Sequence, residues 1–342
     1  MAEHHHLLVF RLSSLGDVAM TVPVIKLLLQ QHPNLQVTLV STPFVQPLFN
    51  EIERLHFYAA DLQGRHQGVT GLQRLYKELK KNYSFDAIAD LHNILRTKIL
   101  RSFFSFSGKP IAVIDKGRKE KKELTRQHNK KLRPLKTTFQ RYADVFALLG
   151  FPVQLEKEQG SVKRYINTFS KPEQDEYFLI GIAPFALHPE KMYPVEKMKE
   201  VLRLISRHSK LKIFLFSGRN DAIVLEQWQK TFSNVESMAG KMSFEKELQL
   251  ISQLDLMVSM DSANMHLASL YGVPVISIWG GTHPYLGFYG WGQSLENAVQ
   301  VELECRPSSV FGNKTCPRGD LACMNLISPI VIYEKVIQQL NL

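Results

Sequence analysis

The chain alternates short apolar runs with stretches of helical spacing, and it does so twice. Residues 7–11, apolar up to Phe10, predict a buried strand, and residues 17–31 carry Val18, Val22, Ile25, Leu28 and Leu29 on one helical stripe. Runs at 36–41, 85–91 and 110–114 predict further strands, while 70–81, 94–104 and 138–149 predict helices, the last closed by Gly150. The alternation restarts at residue 177, with strands predicted over 177–183, 211–216, 256–259 and 274–279. Helices are predicted over 195–208, 221–232, 244–253, 262–271 and 329–340. Such alternation implies parallel sheets covered on both faces, an α/β fold of two doubly wound, Rossmann-like halves.

Residues 156–176 are polar and irregular and carry Pro172, which reads as a linker. The predicted organisation is a first domain over 1–155, a linker over 156–176, a second domain over 177–327, and a C-terminal helix over 328–342 that could pack back on the first domain. A length of 342 residues suits two cores. Ligands of doubly wound sheets bind beyond the carboxyl ends of the strands. Two such domains facing each other would place a site in the central cleft.

Composition adds little to this picture, at 44% hydrophobic and 22% charged residues. No apolar run reaches the roughly 18 residues of a membrane span. Leu7–Phe10 leads directly into Arg11 without a cleavage pattern, so a cytoplasmic protein is expected. Cys305, Cys316 and Cys323 are odd in number and form no CxxC pair, so they are expected as reduced thiols, without a metal.

Charge changes the picture more. Ten basic and two acidic residues lie between Lys116 and Lys136, so most of the net +10 sits in one segment. A one-signed cluster attracts phosphates, carboxylates or an anionic membrane face. No recognition helix, zinc finger or RNP-type motif accompanies it, so nucleic acid is not expected as a partner.

Four motifs could carry chemistry. Arg11-Leu-Ser-Ser-Leu-Gly-Asp17 closes the first strand, with Gly16 permitting a tight turn and Asp17 at a helix start, where it serves equally as an N-cap. Met260-Asp-Ser-Ala-Asn-Met-His266 opens a helix after a strand; its unpaired N–H groups would suit a diphosphate, and His266 shares a face with Ser262. Trp279-Gly-Gly-Thr-His-Pro284 pairs glycines that admit a ligand close to the backbone with the Thr282 hydroxyl. Lys191-Met-Tyr-Pro194 offers a cation that could reach a phosphate. Neither GxGxxG nor a P-loop is present.

Together these residues resemble glycosyltransferase family 9, the lipopolysaccharide heptosyltransferases, over nearly the whole chain. Arg11–Asp17 with Met20, Thr21 and Pro23 is similar to the family's opening motif, and Asp90-Leu-His92 with Arg96 to its fourth-strand segment. Lys191-x-Tyr-Pro194 resembles a K-x-W-P loop, and Asp261-Ser262-x-x-x-His266, followed by Gly-Val-Pro-Val and Trp-Gly-Gly-Thr-x-Pro, resembles the donor signature. Ala263 stands where the family usually has glycine, Phe185 and Ala186 where small hydroxyl residues often occur, and Asp221 one position from its acidic residue.

The resemblance implies a GT-B fold and inverting, metal-independent transfer of heptose from ADP-heptose, as substrate and without a cofactor, to the Kdo-containing inner core. It makes Asp17 the general base. Lys191, Ser262, Ala263 and His266 would hold the donor diphosphate, Asp261 would meet the donor sugar, and Gly281 and Thr282 would line the same site. Ser14 and Arg96, with Lys119, Lys121 and Lys122 of the basic segment, would meet the anionic, lipid-linked acceptor at the inner face of the inner membrane, where the protein would be peripheral. Domain closure would assemble the site. Two alternatives stay open: another nucleotide-sugar enzyme of the same fold, a hexosyltransferase or an epimerase, and a non-catalytic basic binding protein.

Overall fold

The computed structural model describes residues 4–155 and 177–342, so the predicted linker at 156–176 lies outside the described residues. The chain divides into two units, one on each sheet.

In the first unit, β1 (His5–Phe10), α1 (Leu15–Ala19), α2 (Thr21–Gln31), β2 (Leu35–Ser41), β3 (Leu55–Ala59), α3 (Gly68–Asn82), β4 (Ala87–Asp90), α4 (Leu95–Ser105) and β5 (Ile111–Val113) follow in order. The chain then passes through α5 (Arg118–Thr125), which belongs to the second unit, and returns with α6 (Thr138–Leu148). All five strands are parallel, ordered β3-β2-β1-β4-β5. Central β1 buries Leu7 to Phe10 completely, because both faces of a parallel sheet are covered.

Two local differences from the sequence pattern have physical causes. The helix expected over 17–31 is two helices, α1 and α2, that meet at Met20. Pro23 has no N–H to give to Ala19, so the ladder breaks there. β3 carries no sequence signal because it is an edge strand, paired with β2 alone and only partly buried.

The second unit runs β6 (Phe178–Ala183), α7 (Val195–Ile205), β7 (Leu211–Leu215), α8 (Ala222–Thr231), β8 (Val235–Ser237), α9 (Phe244–Gln253), β9 (Leu256–Met260), α10 (Ala263–Leu270), β10 (Val275–Ile278), β11 (Ala298–Val299), α11 (Ala322–Asn325) and α12 (Pro329–Leu340). Its six strands are parallel in the order β11-β10-β9-β6-β7-β8. The outer strands β8 and β11 are too short to show a sequence period. α12 joins this unit's own core: Ile332, Val336 and Leu340 cluster with Val201, Leu202 and Ile205 of α7.

The basic segment is a folded element, and residues 117–137 pack with the second unit, not with the first domain as the sequence places them. Leu124 of α5 and Leu135 cluster with Leu286, and Tyr285, Phe288 and Val310 pack against them. The Leu135 N–H donates to Tyr285 O at 2.9 Å. Lys130 Nζ donates to Glu304 O at 2.9 Å and Pro307 O at 3.1 Å. At Gly287 (φ 84°) a Cβ would lie 2.6 Å from Lys136 O, so the segment approaches at a point only glycine allows.

Candidate active site

Each sheet has one switch point, where successive crossovers leave in opposite directions and ligands bind beyond the strand ends. In the first unit it lies between β1 and β4. Arg11, directly after β1, is buried; its Nη1 donates to Leu91 O at 2.8 Å, and its Nη2 lies 2.7 Å from Asp17 Oδ2. Ser14, the N-cap of α1, donates its hydroxyl to the same Asp17 oxygen at 2.9 Å. The buried Tyr142 hydroxyl donates to Asp17 O at 3.2 Å. Asp17 thus stands in the first turn of α1.

After β4, Asp90 Oδ1 accepts the N–H groups of His92 and Asn93 at 2.9 and 2.8 Å, and Oδ2 pairs with Arg101 Nε at 2.9 Å. This turn presents His92 Nδ1 to the Leu12 N–H at 3.3 Å, so the ring proton sits on Nε2. Burial, then the charges of Arg11 and Lys116, lower the His92 pKa to about 3, and the ring is neutral at pH 7.

In the second unit the switch point lies between β6 and β9, which pair Ala183 with Ser259. Lys191 follows β6 and Asp261 follows β9; Lys191 Nζ lies 2.9 Å from Asp261 Oδ2, and both side chains are largely buried. The lysine is held from two sides. Tyr193, fully buried, donates its hydroxyl to Ile327 O at 2.9 Å. Gly312 (φ 72°) lies so close to the Lys191 stem that a side chain there would overlap it. Ser262 is the N-cap of α10, yet its hydroxyl does not cap; it pairs with the Ser259 hydroxyl at 3.0 Å. The first-turn amides, beginning at Ala263, are therefore not closed by that side chain, and His266 lies buried one turn further.

The turn after β10 runs beside these residues. Gly281 N–H donates to Glu190 O at 3.4 Å, joining the turn to the lysine loop. A Cβ at Gly280 would lie 2.7 Å from Met324 Cε and 3.0 Å from Glu190 O, so the turn is tight enough to need glycine. Thr282 is buried, and its hydroxyl has no partner among the described residues. Arg306, also buried, fastens the turn: Nε donates to Gly280 O at 2.5 Å, and Nη2 to Trp279 O at 3.2 Å and Thr282 O at 3.1 Å.

Comparison with known sequences decides the family. The sequence profile of "Glycosyltransferase family 9 (heptosyltransferase)" matches residues 72–317, most of the chain and all of the second-unit motifs. The chain belongs to glycosyltransferase family 9. It is similar to a lipopolysaccharide core heptosyltransferase, OpsX, of Haemophilus influenzae, at 26% identity over 98% of this chain and 96% of that one. It is also similar to a lipooligosaccharide heptosyltransferase 2 of Campylobacter jejuni, at 22% identity over 96% and 95%. The fold matches the family 9 crystal structure from Veillonella parvula, with a TM-score of 0.77, 18% identity and coverage of 100% and 99%. It also matches E. coli heptosyltransferase WaaC with ADP, with a TM-score of 0.67, 18% identity and coverage of 98% and 99%. The fold is GT-B, and the chain is a glycosyltransferase.

Within this family 9 chain, the motif residues gather in two groups. Asp17 and Ser14 stand together in the first unit; Lys191, Asp261, Ser262, Ala263, His266, Gly281 and Thr282 surround the switch point of the second. Arg96 is exposed in the first turn of α4. Lys119 and Lys122 are exposed on α5, but Lys121 is not a surface cation: it is buried, with Nζ 4.0 Å over the Phe288 ring. α5 is amphipathic, and Lys121 falls on the same side as Leu124 and Thr125, which are buried too. Asp221 accepts the Ser217 hydroxyl. Motif reading passes over Arg11, although it opens the first motif, and Arg306, three of whose five partners lie more than twenty residues earlier, in the turn. Gly312 has a local signal only in its glycine.

Proposed function

We propose that the chain transfers heptose from ADP-heptose to the Kdo-containing inner core of lipopolysaccharide, with inversion and without a metal ion. The supporting observation is the second-unit switch point. A lysine ammonium, an open helix N-terminus and a glycine turn with a partnerless buried hydroxyl lie where a nucleoside diphosphate needs positive charge and donors. The names of the relatives, core heptosyltransferases, point to the same donor and acceptor class.

In the reaction the acceptor hydroxyl attacks the anomeric carbon as the bond to diphosphate breaks. Asp17 takes the hydroxyl proton; Arg11 pairs with its carboxylate and Ser14 donates to it, which fixes its orientation. Charge develops on the departing diphosphate. Lys191 and the amides of α10 stabilise it, which supplies the positive charge a divalent cation would otherwise bring. Asp261 holds Lys191 until the donor arrives and then meets the donor sugar. An acceptor bearing carboxylates and phosphates is drawn by the exposed cations Arg96, Lys119 and Lys122. No described helix is long and apolar enough to cross a membrane; the proposed placement is peripheral, at the cytoplasmic face of the inner membrane, held by the same charge.

The test is nucleotide release from ADP-heptose with a Kdo–lipid A acceptor, in EDTA, beside Asp17→Ala. Acceptor-dependent ADP release that disappears in the variant is expected. Release from a different nucleotide sugar would overturn the donor, and loss of activity in EDTA would overturn metal independence.

A further inference from the structure

The glycine turn holds an arrangement that motif matching does not use. Arg306 is buried, and five acceptors surround its guanidinium: the carbonyls of Trp279, Gly280, Thr282 and Val301, and Gln300 Oε1. No carboxylate pairs with it among the described residues. Its hydrogen-bonding capacity is met, but its charge has no ion pair, and burial opposes the charged form while the Glu302 carboxylate acts on it only from a distance.

A trans peptide points its C=O and N–H in opposite directions. Turning the carbonyls of Trp279, Gly280 and Thr282 towards Arg306 therefore turns the amides of Gly280, Gly281 and His283 away from it. Gly281 O accepts the N–H groups of Ser308 and Ser309 at 2.9 and 3.1 Å, which directs the Thr282 amide away from that loop. Gly280, Thr282 and His283 are buried, yet their amides meet no acceptor among the described residues. The Thr282 hydroxyl is in the same position. Buried donors are almost always paired, so three amides and a hydroxyl left open on one short turn mark a place for an anion. Through Gly281 and Glu190 the turn is joined to the loop that carries Lys191.

We propose that Arg306 is a positioning residue for a nucleoside diphosphate: it turns the amide face of Gly280–His283 towards the phosphates, and its buried charge is completed by them. Arg306 does not touch the ligand; it acts through the turn. The inference rests on reading the second unit as the donor half, and it adds the device that orients the turn. Lys130 braces the same loop from behind by donating to Glu304 O and Pro307 O, on either side of Arg306.

The experiment is calorimetric titration of the full chain with ADP, AMP and adenosine, for the unmodified protein, Arg306→Lys and Arg306→Gln, with circular dichroism as the check on folding. Arg306→Gln is expected to weaken ADP about 10- to 100-fold and adenosine less than about 2-fold, because the lost contribution is electrostatic and confined to the phosphates. Arg306→Lys keeps the charge without the fork and falls between. Equal weakening of ADP and adenosine, the mark of a merely structural residue, would overturn the proposal, as would unchanged ADP affinity. Should both variants fail to fold, amide hydrogen exchange in the unmodified protein decides: ADP, and not adenosine, must protect the 279–283 segment. A protein that binds UDP in place of ADP refutes the adenine donor but leaves Arg306 to be tested with UDP, UMP and uridine. Binding of no nucleoside diphosphate overturns both readings.

Discussion

Lys191 and Asp261, seventy positions apart in the chain, form an ion pair of 2.9 Å at the point where the second sheet reverses its winding. The pair stores the lysine in position without a ligand. In the proposed function a diphosphate would offer Nζ a second partner and free the carboxylate for the donor sugar. Lys191→Met is expected to lower kcat/KM by about 100-fold or more, mostly through transition-state charge. It also leaves Asp261 buried and unpaired, at a cost on the order of 3 kcal/mol. Kinetics with a saturating acceptor, beside a urea melt, separate the two effects.

The stem of that lysine depends on Gly312, which holds a left-handed φ and leaves no room for a methyl group. Gly312→Ala should displace Lys191 and raise the KM for donor several-fold while leaving Asp17 chemistry intact. Donor KM and acceptor KM measured in parallel check this; an equal rise in both would argue against it.

In the proposed mechanism Asp17 acts as the base in the transition state. Asp17→Asn should reduce kcat by about 10²–10⁴-fold, the usual contribution of a general base, with ADP affinity unchanged. Arg11→Met, which leaves Asp17 without its cation, should reduce kcat less than Asp17→Asn.

The cations of the basic segment divide by burial. Lys119→Gln with Lys122→Gln should raise the acceptor KM and flatten its dependence on salt, because exposed charges act through screened attraction. Lys121→Met should change neither, since its ammonium is turned onto Phe288; it should lower the melting temperature by a few degrees at most. Acceptor KM at two ionic strengths distinguishes them.

His92 makes the first unit sensitive to acid. Its folded pKa, lowered to about 3, lies below the unfolded value of 6.5, so the unfolded chain binds a proton first as pH falls. Stability is therefore full above about pH 6.5 and declines as pH drops from there towards 3, by on the order of 2 kcal/mol at pH 5. His92→Gln keeps an acceptor for the Leu12 amide and removes the titration. Urea midpoints between pH 5 and pH 8 should converge on the acid side for the variant and the parent, or cross; a constant difference would refute the assignment.

Much of the architecture was legible in the chain. α9 and α12 occupy the residues their periodicity predicts, and β1, β2, β6 and β9 fall within two residues of their apolar runs, because strands buried on both faces must be continuously apolar. Three of the four site motifs were legible for a related reason: each follows a strand directly, where local backbone already places it at a sheet end, whereas Lys191 comes eight residues after β6. β3, β8 and β11 were not legible, since an edge strand or one of two or three residues has no period to read.

The alternation of strand and helix, the motifs after each central strand and the excess of positive charge are properties of neighbouring residues, and the sequence alone determined them. Which charges meet was decided only by tertiary structure. Arg11 reaches Leu91 O across the first sheet's switch point and Lys191 reaches Asp261 across the second's, and Arg306 fastens a turn more than twenty residues earlier. The basic segment reads as one positive cluster by composition; Leu124 and Leu135 pack it against Leu286 and bury Lys121 with them, while Lys119 and Lys122 stay exposed. Hydrophobic pattern is local and survives in one dimension, whereas the partner of a polar group depends on which strand ends the crossovers bring side by side.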